Sequence, residues 1–267
     1  MLANPSPSVD EQPVGNYDHA DQKGAVAVDW IVILSIGVGA GVIGGVVGFG
    51  ASLLLMPVLV LTFGGREAVP IMALAALLAN ASRAAMWWRE IDWRVNAVYC
   101  ATAIPAAMLG ARLLLQLDHR LVEATLGAFF ILMVPVRRWL IGHGFRIRLP
   151  GMAVVGAVIG FITGLVATTG PINTPFFLAY GLTKGAFLAT EAVGAGAISL
   201  TKAIVFRSLG ALPWETIMRG LAIGSSLMLG SAIAKRIVER MNARHFSVVL
   251  EAMMGLAGLG MLIGALN

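Results

Sequence analysis

Apolar residues run almost unbroken from Val28 to Phe63, and this stretch limits the chain more than any other feature. It exceeds the ~20 residues that a helix needs to cross a bilayer. Its middle reads "GVVGFGASLLLMP" at 45–57, a sequence that breaks helices. Such a break at membrane depth is tolerated only where protein or a watery cavity satisfies the freed backbone groups. The chain therefore folds in lipid, and it spends two hydrophobic arms on holding an irregular turn inside.

The rest of the sequence agrees. Of 267 residues, 58% are hydrophobic and 12% charged, against about 25% charged in an average soluble domain. The net charge of +5 does not point to nucleic acid, because Lys and Arg gather between apolar runs, as cytoplasmic loops do. The lone cysteine, Cys100, allows no intramolecular disulfide. Residues 1–27 are polar, mildly acidic and contain three prolines. No basic segment leads a short apolar core there, so they read as a disordered tail rather than a secretory signal.

The chain repeats itself. Gly37, Gly41 and Gly45 match Gly156, Gly160 and Gly164 at an offset of 119 residues. Pro57 matches Pro175, Arg83 matches Lys202, Met108-Leu109-Gly110 matches Met228-Leu229-Gly230, and Trp93 matches Trp214. The offsets drift slowly from 118 to 121, as a duplication with small insertions would give. The expected plan is a tail at 1–27, a first membrane repeat at 28–141, a basic cytoplasmic linker at 142–150 and a second repeat at 151–267. Broken runs at 28–63 and 151–180 lead the two repeats. Further runs follow near 67–88, 95–116 and 121–141, and near 186–206, 213–234 and 245–266.

Charge decides whether each broken run crosses once or turns back. A single crossing leaves the loop Lys and Arg balanced, eight on each side. A hairpin puts five on one side and eleven on the other, the asymmetry that the positive-inside rule asks for. The expectation is an all-α polytopic membrane protein of two inverted repeats, each led by a broken-helix hairpin, with both termini periplasmic. Inverted repeats are a common plan of secondary transporters, and paired broken segments mark the substrate site.

In this reading "GFGAS" at 48–52 and "ATTGP" at 167–171 are the hairpin tips. Ser52 and Thr169 are good helix caps, and Pro171 fits a first turn. Each tip would present a helix N-terminus, whose free N–H groups and partial positive charge favour an anion. Gly48, Gly50, Ser52, Thr168, Thr169 and Gly170 are thus substrate-binding candidates, with Asn173 and Thr174 just beyond the second tip. Glycines four residues apart instead allow close helix packing, which is the expectation for the Gly37 and Gly156 series. Gly39, Gly41 and Gly44 also spell a dinucleotide fingerprint, but it lies within a membrane-length run and lacks the acidic residue the motif needs.

Arg83 and Lys202 are cations within spans, preceded by "NAS" and "SLT". Intramembrane charge is costly and marks functional sites. The alternative is that they snorkel to the interface, where Trp87 and Trp88 follow Arg83. Glu191 lies three helical turns before Lys202 on the same face. It is a candidate for coupling transport to protons, or a distant charge partner. Glu251, inside the last run, is a second coupling candidate. His19 lies in the tail, and His119, His143 and His245 lie at loops or span borders. No catalytic, metal or cofactor constellation emerges, so an enzyme is not expected.

"GVGAGVIGGVVGFGASLLLMPVL" and "GAVIGFITGLVATTGPINTPFFL" together resemble the TauE/SafE sulfite exporter family, also called the toluene sulfonate uptake permeases, over about 28 to 266. Gly41, Gly45, Gly48, Gly50 and Pro57 fit the first copy of the family's glycine run, and Gly160, Gly164, Gly170, Pro171 and Pro175 fit the second. Where the family often has further glycines, this chain has Ala51, Ser52, Ala167, Thr168 and Thr169. The resemblance implies a bacterial inner-membrane permease for sulfite, organosulfonates or related small anions. The leading expectation is a secondary transporter working by alternating access, with proton coupling and homo-oligomerisation left open. An anion channel, or a non-transporting membrane subunit or sensor, is the alternative.

Overall fold

The computed structural model describes residues 30–49, 51–116, 146–165, 170–242, 244–246 and 248–249. Among them every regular element is helical. The helices are α1 (Trp30–Val47), α2 (Ala51–Phe63), α3 (Gly65–Met86), α4 (Trp93–Gln116), α5 (Leu149–Leu165), α6 (Gly170–Tyr180), α7 (Lys184–Ser208) and α8 (Trp214–Arg240), with a 3-10 turn at Trp88–Glu90 between α3 and α4. Among the described residues, five segments are long and apolar enough to cross a membrane: Trp30–Val47, Glu67–Met86, Trp93–Leu114, Lys184–Ser208 and Trp214–Arg240. The protein is a multi-pass membrane protein. The expected spans near 67–88, 95–116, 186–206 and 213–234 correspond to α3, α4, α7 and α8. The tail and the expected run at 121–141 lie outside the described residues, as do residues 142–145 of the linker and most of the run at 245–266.

The first run leaves the helix after Val47, with Gly48 and Phe49 non-helical, and α2 begins at Ala51; in the second run α5 is described to Leu165 and α6 from Gly170, with 166–169 outside the described residues. Helices α2 and α6 have 13 and 11 residues, about 20 and 16 Å at 1.5 Å per residue. Neither covers the ~30 Å hydrocarbon core alone. Gly48 makes the first turn. Its φ is +87°, a conformation that only glycine adopts without strain. A Cβ there would also lie 3.0 Å from the Phe187 ring.

The glycine series are packing surfaces. A Cβ on Gly41 would lie 2.4 Å from the Leu227 carbonyl oxygen, and one on Gly160 would lie 2.4 Å from that of Ala103. Gly45 abuts Ser231 and Ala234, and Gly164 abuts Ala107 and Gly110. So α1 lies tightly on α8, and α5 on α4. The first helix of each broken run packs against a long helix from the other half of the chain. Close backbone approach replaces the hydrophobic drive that lipid does not supply. Helix α7 fills the middle, between α3 and α4, which leaves most of its residues buried. At one end, the Asp92 carboxylate accepts hydrogen bonds from the backbone N–H groups of Arg94 (3.0 Å) and Val95 (3.1 Å), capping α4. Its own N–H donates to Thr190 Oγ1 at 2.9 Å, tying the turn to α7.

Candidate functional site

A cavity of about 80 Å³ opens beside the first helix break, room for a few water-sized bodies. Helix α1 lines it with Gly41 and Gly44, the break with Gly48 and Phe49, and the start of α2 with Ala51 and Ser52. Helix α3 adds Met72, Asn80 and Arg83; α4 adds Tyr99; α5 adds Thr163; α6 adds Asn173; α7 adds Glu191 and Ser199; α8 adds Ser231. Residues from all eight described helices thus meet at one point.

Arg83 is at the centre. It is only 6% exposed, so its side chain turns inward rather than toward the interface. Nη1 donates to the Gly48 carbonyl oxygen at the break. Nη2 donates to Asn80 Oδ1, one turn earlier on α3, and to Glu191 Oε2 at 3.0 Å. The network continues beyond Glu191. Asn173 Nδ2 lies 3.5 Å from Glu191 Oε1, and the Tyr99 hydroxyl donates to Asn173 Oδ1 at 3.2 Å. Asn173 and Glu191 are 3% and 2% exposed. Burying a charged pair is tolerated only with excellent geometry and extra hydrogen bonds, and this arrangement provides both.

Lys202 is buried at 3% exposure, but it is not part of the cavity wall. Its ammonium donates to the Thr163 carbonyl oxygen in the last turn of α5, at 3.0 Å. Thr163 does line the cavity. The last carbonyls of a helix lack intrahelical partners, and cations there are favourable. Arg83 serves Gly48, just past α1, in the same way.

Of the candidates named from sequence, the structure brings Gly48, Ser52, Arg83, Asn173 and Glu191 to one cavity and leaves Lys202 one carbonyl away. Ser52 is the second residue of α2 rather than its cap, because the helix already begins at Ala51. Gly170 begins α6. Thr174 is fully buried next to Asn173. Gly50, Thr168, Thr169 and Glu251 lie outside the described residues. Tyr99, Thr163 and Ser231 were not singled out from sequence. Each is a lone polar group within a span, with no motif around it. Among the described residues, no group of His, Cys, Asp and Glu could hold a metal ion.

The sulfite exporter TauE/SafE family model matches residues 33–261, which is most of the chain and includes the whole cavity wall. The chain belongs to the sulfite exporter TauE/SafE family. No curated protein and no solved structure matches it. Membership makes it a membrane protein of a transporter family. Its cavity has what a small anion would need at membrane depth: a guanidinium, amide and hydroxyl donors, and the N-terminal turn of α2 at Ala51 and Ser52.

Proposed function

We propose that this protein is a secondary transporter for small sulfur-containing anions of the sulfite and organosulfonate class. The anion sits at the first helix break, on Arg83, Ser52 and the first N–H groups of α2. The observation that carries the reading is the buried guanidinium held inside a polar cavity where a membrane-depth helix is broken. Gly50, Thr168, Thr169 and Gly170 supply further donors from the two breaks, and Asn173 a side-chain amide. Lys202 acts one shell out, by fixing the end of α5.

The same reading makes residues 28–141 and 151–267 two inverted repeats joined by a basic cytoplasmic linker, each led by a hairpin. The reciprocal packing of α1 on α8 and α5 on α4 supports it, because a duplicated unit would exchange helices in this way. Alternating access then means rocking one repeat against the other around the break. The five-to-eleven charge split puts both termini in the periplasm of a bacterial inner membrane. Reporter fusions at Asn267 and in the 137–148 segment test this directly; a cytoplasmic Asn267 overturns the topology.

The function is tested by flux into proteoliposomes, screening sulfite, thiosulfate, sulfate, sulfoacetate and taurine. A carrier moves its substrate uphill when an ion gradient is imposed. Flux that only ever runs downhill assigns a channel.

A further inference from the structure

The cavity holds an anion of its own. Arg83 is the guanidinium assigned above to the substrate, yet Glu191 Oε2 already sits 3.0 Å from it. The remaining bonds of Arg83 go to Gly48 and Asn80. An arriving anion therefore meets a guanidinium whose charge is matched and three of whose five N–H donors are engaged. It also meets a carboxylate at 2% exposure, and two negative charges sharing one cation in a low-dielectric site repel strongly.

We propose that Glu191 is a tethered competitor for the transported anion, and that it yields Arg83 only when it takes up a proton, so that each anion bound carries one proton into the site. This rests on the transport reading above. The proton comes from water on the side to which the cavity is open and forms an O–H bond on the carboxylate. When the anion leaves, that bond breaks, the proton returns to water, and the carboxylate closes again on Arg83. Asn173 makes the exchange feasible. Its amide has both a donor and an acceptor, so it can partner Glu191 in either form.

The surroundings fit a single titrating site. Of the described cavity-lining residues, only Arg83 on α3, Tyr99 on α4 and Glu191 itself carry ionisable groups. Helices α1, α2, α5, α6 and α8 present Gly44, Ser52, Thr163, Asn173 and Ser231. The other charges near α7 are engaged elsewhere. Lys202 is at the Thr163 carbonyl, Asp92 caps α4, the Glu90 carboxylate lies against Gly185, and Lys235 donates to the Met86 carbonyl oxygen. The sequence offset that pairs Arg83 with Lys202 pairs Glu191 with Met72, which also lines the cavity. One half of the chain thus supplies a carboxylate where the other supplies a thioether, and this gives one proton per cycle rather than two.

The test is the affinity of the purified protein for sulfite as a function of pH, in the parent and in Glu191→Gln and Glu191→Asp. Sulfite titrates as well, but the ratio of two proteins' affinities cancels that term. Glu191→Gln keeps the shape and removes the competitor, so it should bind more tightly than the parent at alkaline pH. Its advantage should grow by up to about tenfold per pH unit, the slope of one linked proton, and vanish in acid. Glu191→Asp keeps a titrating carboxylate and should retain the parent's slope. A parent-to-Gln ratio that stays constant with pH, while both bind sulfite, makes Glu191 a purely structural partner of Arg83 and overturns the inference while leaving the transport reading intact. A parent that binds no sulfite at any pH overturns both.

Discussion

Arg83 and Lys202 are buried at comparable depth, and each donates to a carbonyl at the C-terminal end of a helix, Arg83 to Gly48 just past α1 and Lys202 to Thr163 in α5. Beyond that shared role they differ. Arg83 faces the cavity and meets a carboxylate brought from α7, 108 residues away. Lys202 stays outside the wall. The two positions match in sequence, so the difference comes from their neighbours: Glu191 stands in one half where Met72 stands in the other. Two positions matched in sequence thus share the same helix-end chemistry, while the charge pair forms at Arg83.

The largest expected effect separates the two cations. Arg83→Met leaves the Glu191 carboxylate buried without its partner, which costs about 3–5 kcal/mol and abolishes sulfite binding. Lys202→Met removes a charged hydrogen bond to a helix end, worth about 1.5–3 kcal/mol, and weakens binding only through the position of α5. Thermal unfolding in detergent and sulfite titration measure both. The double change Arg83→Met with Glu191→Leu should recover most of the lost stability and none of the binding. Equal losses from the two single changes would break the comparison.

Next comes the break itself. Ser52→Ala preserves the helix and removes one donor from the cavity. Losing a hydrogen bond to a charged ligand costs about 1.5–3 kcal/mol, roughly 10- to 150-fold in sulfite affinity. Thr169→Val asks the same of the second break. If both bind within about twofold of the parent, the hydroxyls serve the helices and not the anion.

The smallest effects compare two turns. Gly48 and Gly64 both have positive φ, +87° and +77°, but a Cβ meets the Phe187 ring at the first and open space at the second. Gly64→Ala should cost only the backbone strain of a glycine-only conformation (φ 77°, ψ 156°), about 1–3 kcal/mol. Gly48→Ala adds crowding in the core, about 1–3 kcal/mol more. It should also disturb Arg83, whose Nη1 is 3.3 Å from that Cβ position. Similar melting shifts for the two variants would mean that the first break tolerates movement.

The sequence by itself determined the solvent, the described helices and the break at Gly48. Span length, composition and the glycines at 41, 45, 48, 160 and 164 are local properties, readable without knowing what packs where. It also pointed to Arg83, Lys202, Glu191, Asn173 and Ser52, since a polar group within a membrane-length run stands out wherever it ends up. Only the tertiary structure decided which of these meet. Helix α1 is apolar on every side, and the polar groups of α4 and α7 are too few to mark a face, so no periodicity reports how the helices are rotated. Arg83 meets Glu191, Tyr99 meets Asn173, and Lys202 turns to a carbonyl instead of the cavity because the small residues of α1, α4, α5 and α8 fix how closely the backbones approach. That approach fixes the rotation, and the rotation selects the partners.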